Sequence, residues 1–318
     1  MRIGQGTGSF LGIQVSLQAP AFNPTQSVYI NPTGIVNAAS FAPFTAGIAN
    51  GEFISIFGTN LAPGLTVAPG LPYPMQLNNV QVLINQVPAP LYFVSAGQIA
   101  ALVPAGNPYS LATIQVINNG TMSNIVTVPL GAPGSTPATV TSPGVYNYPQ
   151  GSGFAAAVDA TTGTIVTQSN PANPGDTIEV FMSGLGAVYP TVPDGAAAPA
   201  SPPYSYTTNT VIADVEGTGA NVIFAGLAPT LAGLYQVNIT LPTSLTAGNH
   251  YLNISTSDPN NTSNTFNLEA YTQQVLIPIG GGAAARSEQA SPRGRARVHG
   301  HPQPTRKPLC LFNCSDKP

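Results

Sequence analysis

From position 51 to 57 the chain reads Gly-Glu-Phe-Ile-Ser-Ile-Phe, with Ile54 and Ile56 at alternate positions and an Asn50-Gly51 turn in front. Alternation with a period of two is the mark of a strand with one buried face. It returns in Asn79–Ile84, which Asn85-Gln86 closes as a turn. Short apolar runs follow at Pro90–Ser95, Gln98–Pro104, Thr113–Ile117 and Asn124–Leu130, with a turn at Asn118-Asn119-Gly120. Short runs rich in β-branched and aromatic residues, punctuated every ~8–12 residues, predict a β-sandwich. No window shows a helical period.

The pattern is written twice. Gly51–Phe57 aligns without a gap on Gly175–Phe181 (Gly-Asp-Thr-Ile-Glu-Val-Phe), 124 positions further on. Gln98–Pro104 pairs with Gln236–Pro242 and Ser123–Val128 with Ser263–Leu268, at offsets of 138 and 140. Ile54 and Ile56 map onto Ile178 and Val180, and Ile99, Ala101 and Val103 onto Val237, Ile239 and Leu241. The same alternate positions thus stay apolar in both copies, while Ser55 becomes Glu179, an exchange that suits an exposed face. The second copy gains roughly 14 residues between the first two matches, expected in the Ala- and Pro-rich Tyr189–Asn209. Gly131–Gly144 is dense in Pro, Gly, Ser and Thr and reads as a linker.

The expectation is an all-β chain of two tandem sandwich domains with separate interiors. They span residues 31–130 and 145–278, with the linker at 131–144. Residues 1–30 read as an extension, poorly ordered or an edge strand. Residues 279–318 read as a basic tail, disordered because it has no periodicity and too little hydrophobicity to offset the entropy of ordering.

Composition sharpens this picture. Thirty-three Gly and 33 Pro are too many for a helical protein, and a hydrophobic fraction of 43% suffices for two cores. Residues 3 to 285 hold nine acids and no Lys or Arg, whereas the last 33 residues carry seven bases and two acids. The body therefore has no Lys or Arg ion pairs, and it lacks the basic patch that phosphate contacts require, which excludes nucleic acid as its partner. No run of 18 apolar residues predicts a membrane helix. The start lacks the apolar core of a secretory signal. Three readings stay open: another export route, a misassigned start, or the end of a longer chain. Cys310 and Cys314 have only His299 and His301 nearby, a poor metal set, so no cofactor is expected.

Candidate chemistry is sparse. The body's one histidine, His250, opens a predicted strand after a Gly turn and reads as an edge residue. Ser183 in Phe-Met-Ser-Gly-Leu-Gly faintly resembles a nucleophile elbow but lacks the Gly two residues before it. Asp176 and Glu179 fall on opposite strand faces, and Asp214 and Glu216 share a solvent-side face. Gly151–Ala156 is close to a dinucleotide loop but lacks the following helix. No catalytic residue is assigned. Asp258, Asn260 and Thr262 alternate in an Asx-rich hairpin tip, where their oxygens could converge on calcium; backbone turn chemistry explains the same residues. Tyr204, Tyr206, Tyr146 and Tyr148, with Tyr73 and Tyr109, lie in Pro- and Gly-rich loops. Two readings stand for them, a binding surface for extracellular polysaccharide or caps on the ends of the sandwiches.

Several of these stretches, taken together, resemble a known family. They are Gly34–Pro43, Ile54–Pro63, Val87–Ile99, Asn173–Val188 and Phe224–Pro242. In this order they resemble the Solibacter-type uncharacterised C-terminal domain of acidobacterial secreted and surface proteins. The first domain alone is also similar to the IPT/TIG class of immunoglobulin-like domains. It departs from that class in having Asn85-Gln86 where a Gly-containing turn is usual. The resemblance implies immunoglobulin-like sandwiches, an extracellular or cell-surface setting, and other domains of a larger surface protein as partners. The function it implies is structural, anchoring or adhesive, with no enzymatic residues; a carbohydrate-binding module is the alternative.

Overall fold

The computed structural model describes residues 2–5, 9–12, 27–42, 47–130, 141–257, 270–271 and 275–281. Among them there is no helix, and the strand ladders are antiparallel.

In the first sandwich, one layer runs Tyr29–Asn37, Phe53–Thr59, Gln98–Leu102, Leu91–Val94, Thr66–Val67. The facing layer runs Thr121–Met122, Leu111–Asn118, Val80–Ile84, Val87–Pro88, with Val126–Pro129 also on Leu111–Asn118. Ile54, Ile56 and Ile99 of one layer share a fully buried interior with Val82, Ile84, Ile114 and Val116 of the other. In the second sandwich the order is Gly144–Val145, Thr177–Ser183, Tyr235–Thr240, Thr218–Leu227, Thr210–Val215, Gly248–Ser257. Ile178, Val180, Val237, Ile239, Leu252 and Ile254 form a second, separate interior. Ile54 and Ile178 therefore seal different cores, as the repeat predicts.

The duplication is legible in the ladder register. Ile54 faces Ala101 and Ile56 faces Ile99; their counterparts Ile178 and Val180 face Ile239 and Val237. Val82 faces Val116 and Ile84 faces Ile114, matched by Ala213 with Ile254 and Val215 with Leu252. Even an irregularity is shared. A register shift lies between Leu91 and Phe93 in one copy and between Val222 and Phe224 in the other. Thr218–Leu227 pairs with one layer at its start and the other at its end. The corresponding stretch of the first copy is split at Pro88 and Pro90, which have no N–H for a ladder.

Three expectations are corrected. The last strand of the first copy, Val126–Pro129, corresponds to Val275–Ile279, since Ile114 faces Val126 as Leu252 faces Val275. Ser263–Leu268 lies outside the described residues. Not all the extra length sits in Tyr189–Asn209: five positions separate Val94 from Ile99, but twelve separate Ala225 from Val237. Ser55 is buried, under a Gln98 whose Nε2 donates to its Oγ at 3.2 Å.

Candidate functional site

The two sandwiches meet pole to pole, and the joint is built around a carboxyl group. In each copy an acid folds back onto the turn that precedes its central strand. Glu52 Oε2 accepts the Ala49 N–H at 2.5 Å, and its counterpart Asp176 Oδ2 accepts the Asn173 N–H at 2.8 Å. Asp176, at the opposite pole of the second sandwich, is half-buried. Glu52 is fully buried, because the second sandwich lies over it. Burial holds its carboxyl well above the usual carboxylate range, and the Ala49 N–H and the nearby Asn37 and Ser142 side chains offset only part of that. Its Oε1 has no hydrogen bond of ordinary geometry.

Side chains close the joint around Glu52. Asn37 Nδ2 donates to the Ser142 carbonyl at 2.8 Å, and Ser142 Oγ donates to the Gly47 carbonyl at 3.0 Å. The Phe53 N–H donates to Ser183 Oγ at 3.0 Å. Ser183 is thus a fully buried clamp on the neighbouring domain. Thr141–Gly144, which the composition assigns to the linker, belongs to the joint: Ser142 is buried in it and Gly144 pairs with Ser183.

Apolar contacts complete the seam. Phe53 and Leu102, cross-strand neighbours, are 2% and 4% exposed. They lie beneath Gly233 of the second sandwich, where an added Cβ would stand 2.4 Å from Leu102 Cδ1. Tyr73 and Tyr92 pack edge-on against Phe53, with centroids 5.9 and 6.3 Å away. Burial, with Tyr92 alongside, pushes the Tyr73 phenol up to about 12. At the opposite pole of the second sandwich, the counterparts of Phe53 and Leu102 are Thr177 and Thr240, half-exposed and 3.2 Å apart through their hydroxyls. The same two positions are apolar at the joint and hydroxylic at the opposite pole of the second sandwich.

Beside the seam remains a cleft of about 420 Å³, walled in part by Leu102, Val188, Val192 and Leu227, with Asn50, Asn107, Thr191, Asp194 and Tyr235 among its members. Asp194 Oδ1 accepts the Ala105 N–H at 2.9 Å, and partial burial raises its carboxyl above the usual range. Asn50 Nδ2 donates to the Asn107 carbonyl at 3.1 Å, which leaves Oδ1 buried without a partner. The sequence offered one signal for this site, an Asp194-Gly195 turn in the insertion that distinguishes the second copy.

The residues singled out from the sequence scatter. Tyr146 is 3% exposed and packs with Ala39, Phe181 and Leu234. It packs at the joint, as the capping reading describes. Tyr148 packs on the same cluster, half-buried. Tyr204 and Tyr206 are brought together on Phe224, with centroid distances of 6.0 and 5.3 Å. Tyr206 lies opposite Tyr189, which is 73% exposed. The calcium candidates Asp258, Asn260 and Thr262 lie outside the described residues, as do the tail cysteines. His250 places Nδ1 3.7 Å from Glu216 Oε1 and Nε2 2.8 Å from the Thr246 carbonyl. Glu216 Oε1 also accepts the Tyr251 N–H. Asp214 and Asp159 likewise accept main-chain N–H groups, from Gly217 and from Thr161 and Thr162.

No helix of the described residues is long and apolar enough to cross a membrane. No curated protein matches the chain. Among solved structures, it is similar at 11% identity, over 57% of its length, to the C-terminal domain of the AgI/II polypeptide BspA of Streptococcus agalactiae, with a TM-score of 0.18. A second similar structure, BspA_C_mut, has 11% identity over 57% of this chain and a TM-score of 0.17. The chain spans 64% and 59% of those two structures. Residues 38–130 match the family model of the IPT/TIG domain, and this span holds Glu52 and the strands from Phe53–Thr59 to Val126–Pro129, so the first sandwich is immunoglobulin-like.

Proposed function

We propose that the chain is a non-catalytic structural, anchoring or adhesion module of a bacterial secreted or surface protein. One observation carries this reading: among the described residues, most of the body's carboxyl groups are engaged in holding the fold. Six carboxyl groups, those of Glu52, Asp159, Asp176, Asp194, Asp214 and Glu216, accept main-chain N–H groups. The immunoglobulin-like first sandwich supports a module that serves by shape and surface. The Solibacter-type resemblance supports an extracellular or cell-surface setting, beside other domains of a larger protein. The full chain is expected to turn over no generic ester or glycoside substrate. Turnover that disappears in His250→Ala would overturn the reading.

A second reading, a carbohydrate-binding module, is favoured by the patch of Tyr204, Tyr206, Phe224 and Tyr189. Exposed aromatic side chains give rigid contact area at small entropic cost, and a body without Lys or Arg suits a neutral glycan. Pull-down on neutral polysaccharides, lost in the Tyr204→Ala, Tyr206→Ala double variant, would establish it. Retention by that variant would dismiss it.

A further inference from the structure

The cleft at the joint presents oxygen acceptors and no cation. Asp194 keeps one carboxylate oxygen on the Ala105 N–H, and the second has no hydrogen bond within the chain's described residues. Asn50 is 9% exposed, and its orientation is fixed because Nδ2 donates to the Asn107 carbonyl, so Oδ1 is the atom left over. Ala105 and Asn107, the anchors of these two side chains, are two residues apart on one loop, a span of at most about 7 Å. Asp194 and Asn50 both line the cleft, so a group that enters it approaches both side chains. That group must supply hydrogens and positive charge. A half-buried carboxylate wants a counter-ion, and the sequence provides no Lys or Arg between residues 3 and 285. Among the other walls, Leu102, Val188, Val192 and Leu227 suit methylenes, and Thr191 and Tyr235 add hydroxyls.

We infer that this cleft is a binding site for an alkylammonium group. Its N–H donors go to the Asp194 carboxylate and to Asn50 Oδ1, and its carbon chain lies along Leu102, Val188, Val192 and Leu227. A cleft of about 420 Å³ accommodates a chain of the length of a lysine side chain. The ammonium has two possible sources, a lysine of the chain's own tail (Lys307 or Lys317, its only lysines) or an external amine.

The test is NMR titration of the full chain with n-pentylamine, with n-pentanol as a neutral match. The amine is expected to shift the amide signals of Ala105, Asn107 and Gly195 and to bind at least tenfold more tightly than the alcohol. Asp194→Asn keeps an acceptor for the Ala105 N–H and removes the charge, so its melting temperature should hold while amine affinity falls at least tenfold. Equal binding of amine and alcohol, undiminished binding by Asp194→Asn, or no shift of these amides would overturn the inference. The Lys307→Gln, Lys317→Gln double variant separates the sources. Tighter amine binding than in the unaltered chain assigns the site to the tail, and equal binding assigns it to an external amine.

Discussion

At the scale of single residues, Glu52 has the sharpest consequence. An unfolded glutamate titrates near ~4.3, and burial under the second sandwich raises the folded value well above that range. Between those two values the folded chain holds more protons than the unfolded chain. The stability that comes with the neutral carboxyl is therefore complete below the unfolded value and is lost as pH rises through the folded one. Glu52→Gln keeps an oxygen for the Ala49 N–H and cannot ionise. Thermal melts should coincide near pH 4, and the variant should melt higher by pH 8, by ~2–4 °C for each kcal/mol recovered. An advantage of the unaltered chain that grows with pH would contradict this account. The sequence shows Glu52 and Asp176 as equivalent acids, yet only one is buried. That difference was illegible because the covering surface comes from the other domain. Tyr146 stayed between its two readings for the same reason: a loop tyrosine and a joint tyrosine look alike until the partner surface is known.

At the scale of elements, alternation was enough to place the central strands, since burial on one face dictates Ile54, Ile56, Ile178 and Val180 whatever surrounds them. The closing strand was harder to see. A shared Ser-Asn pair reports turn chemistry, whereas the buried-face residues Val126 and Val128 identify Val275 and Ile277 as their counterparts. Turns allow a comparison between copies. Asn85 and Gln86 have φ of 48° and 69°, and the equivalent Glu216 and Gly217 have 53° and 76°. The hairpin geometry is the same, but Gln86 holds a left-handed conformation that costs a non-glycine residue roughly 1–2 kcal/mol. Gln86→Gly should raise stability by about 0.5–1 kcal/mol, after the larger entropy of the unfolded glycine is subtracted. Urea denaturation followed by fluorescence checks it; a lower midpoint at unchanged slope would show that Gln86 makes a compensating contact.

For the whole molecule, separate interiors do not imply separate behaviour. The seam of Phe53, Leu102, Ser183 and Glu52 should make the sandwiches unfold together, in a single calorimetric transition. Gly233→Ala tests the coupling, since its Cβ would press on Leu102 and Phe53 and its φ of 64° disfavours any side chain. The expected loss is about 1–3 kcal/mol, with the single transition broadening or splitting in two. A single transition at the original temperature would mean that the seam contributes little.

The paired threonines at the far pole bear on how such a molecule could grow. Each copy receives the chain beside the end of its central strand, where Tyr29 faces Thr59 and Gly144 faces Ser183. Each releases it beside that strand's beginning, where Leu130 meets Ile48 and Ile279 meets Ala172. Repeated units would therefore string along one axis like beads, and Thr177 and Thr240 give the second bead a wettable far end. Giving that bead the phenylalanine and leucine of its sibling (Thr177→Phe, Thr240→Leu) should make it sticky, with particle mass in light scattering climbing as the protein is concentrated. A variant that stayed monomeric would mean that two hydroxyls are not what keeps this end from self-association.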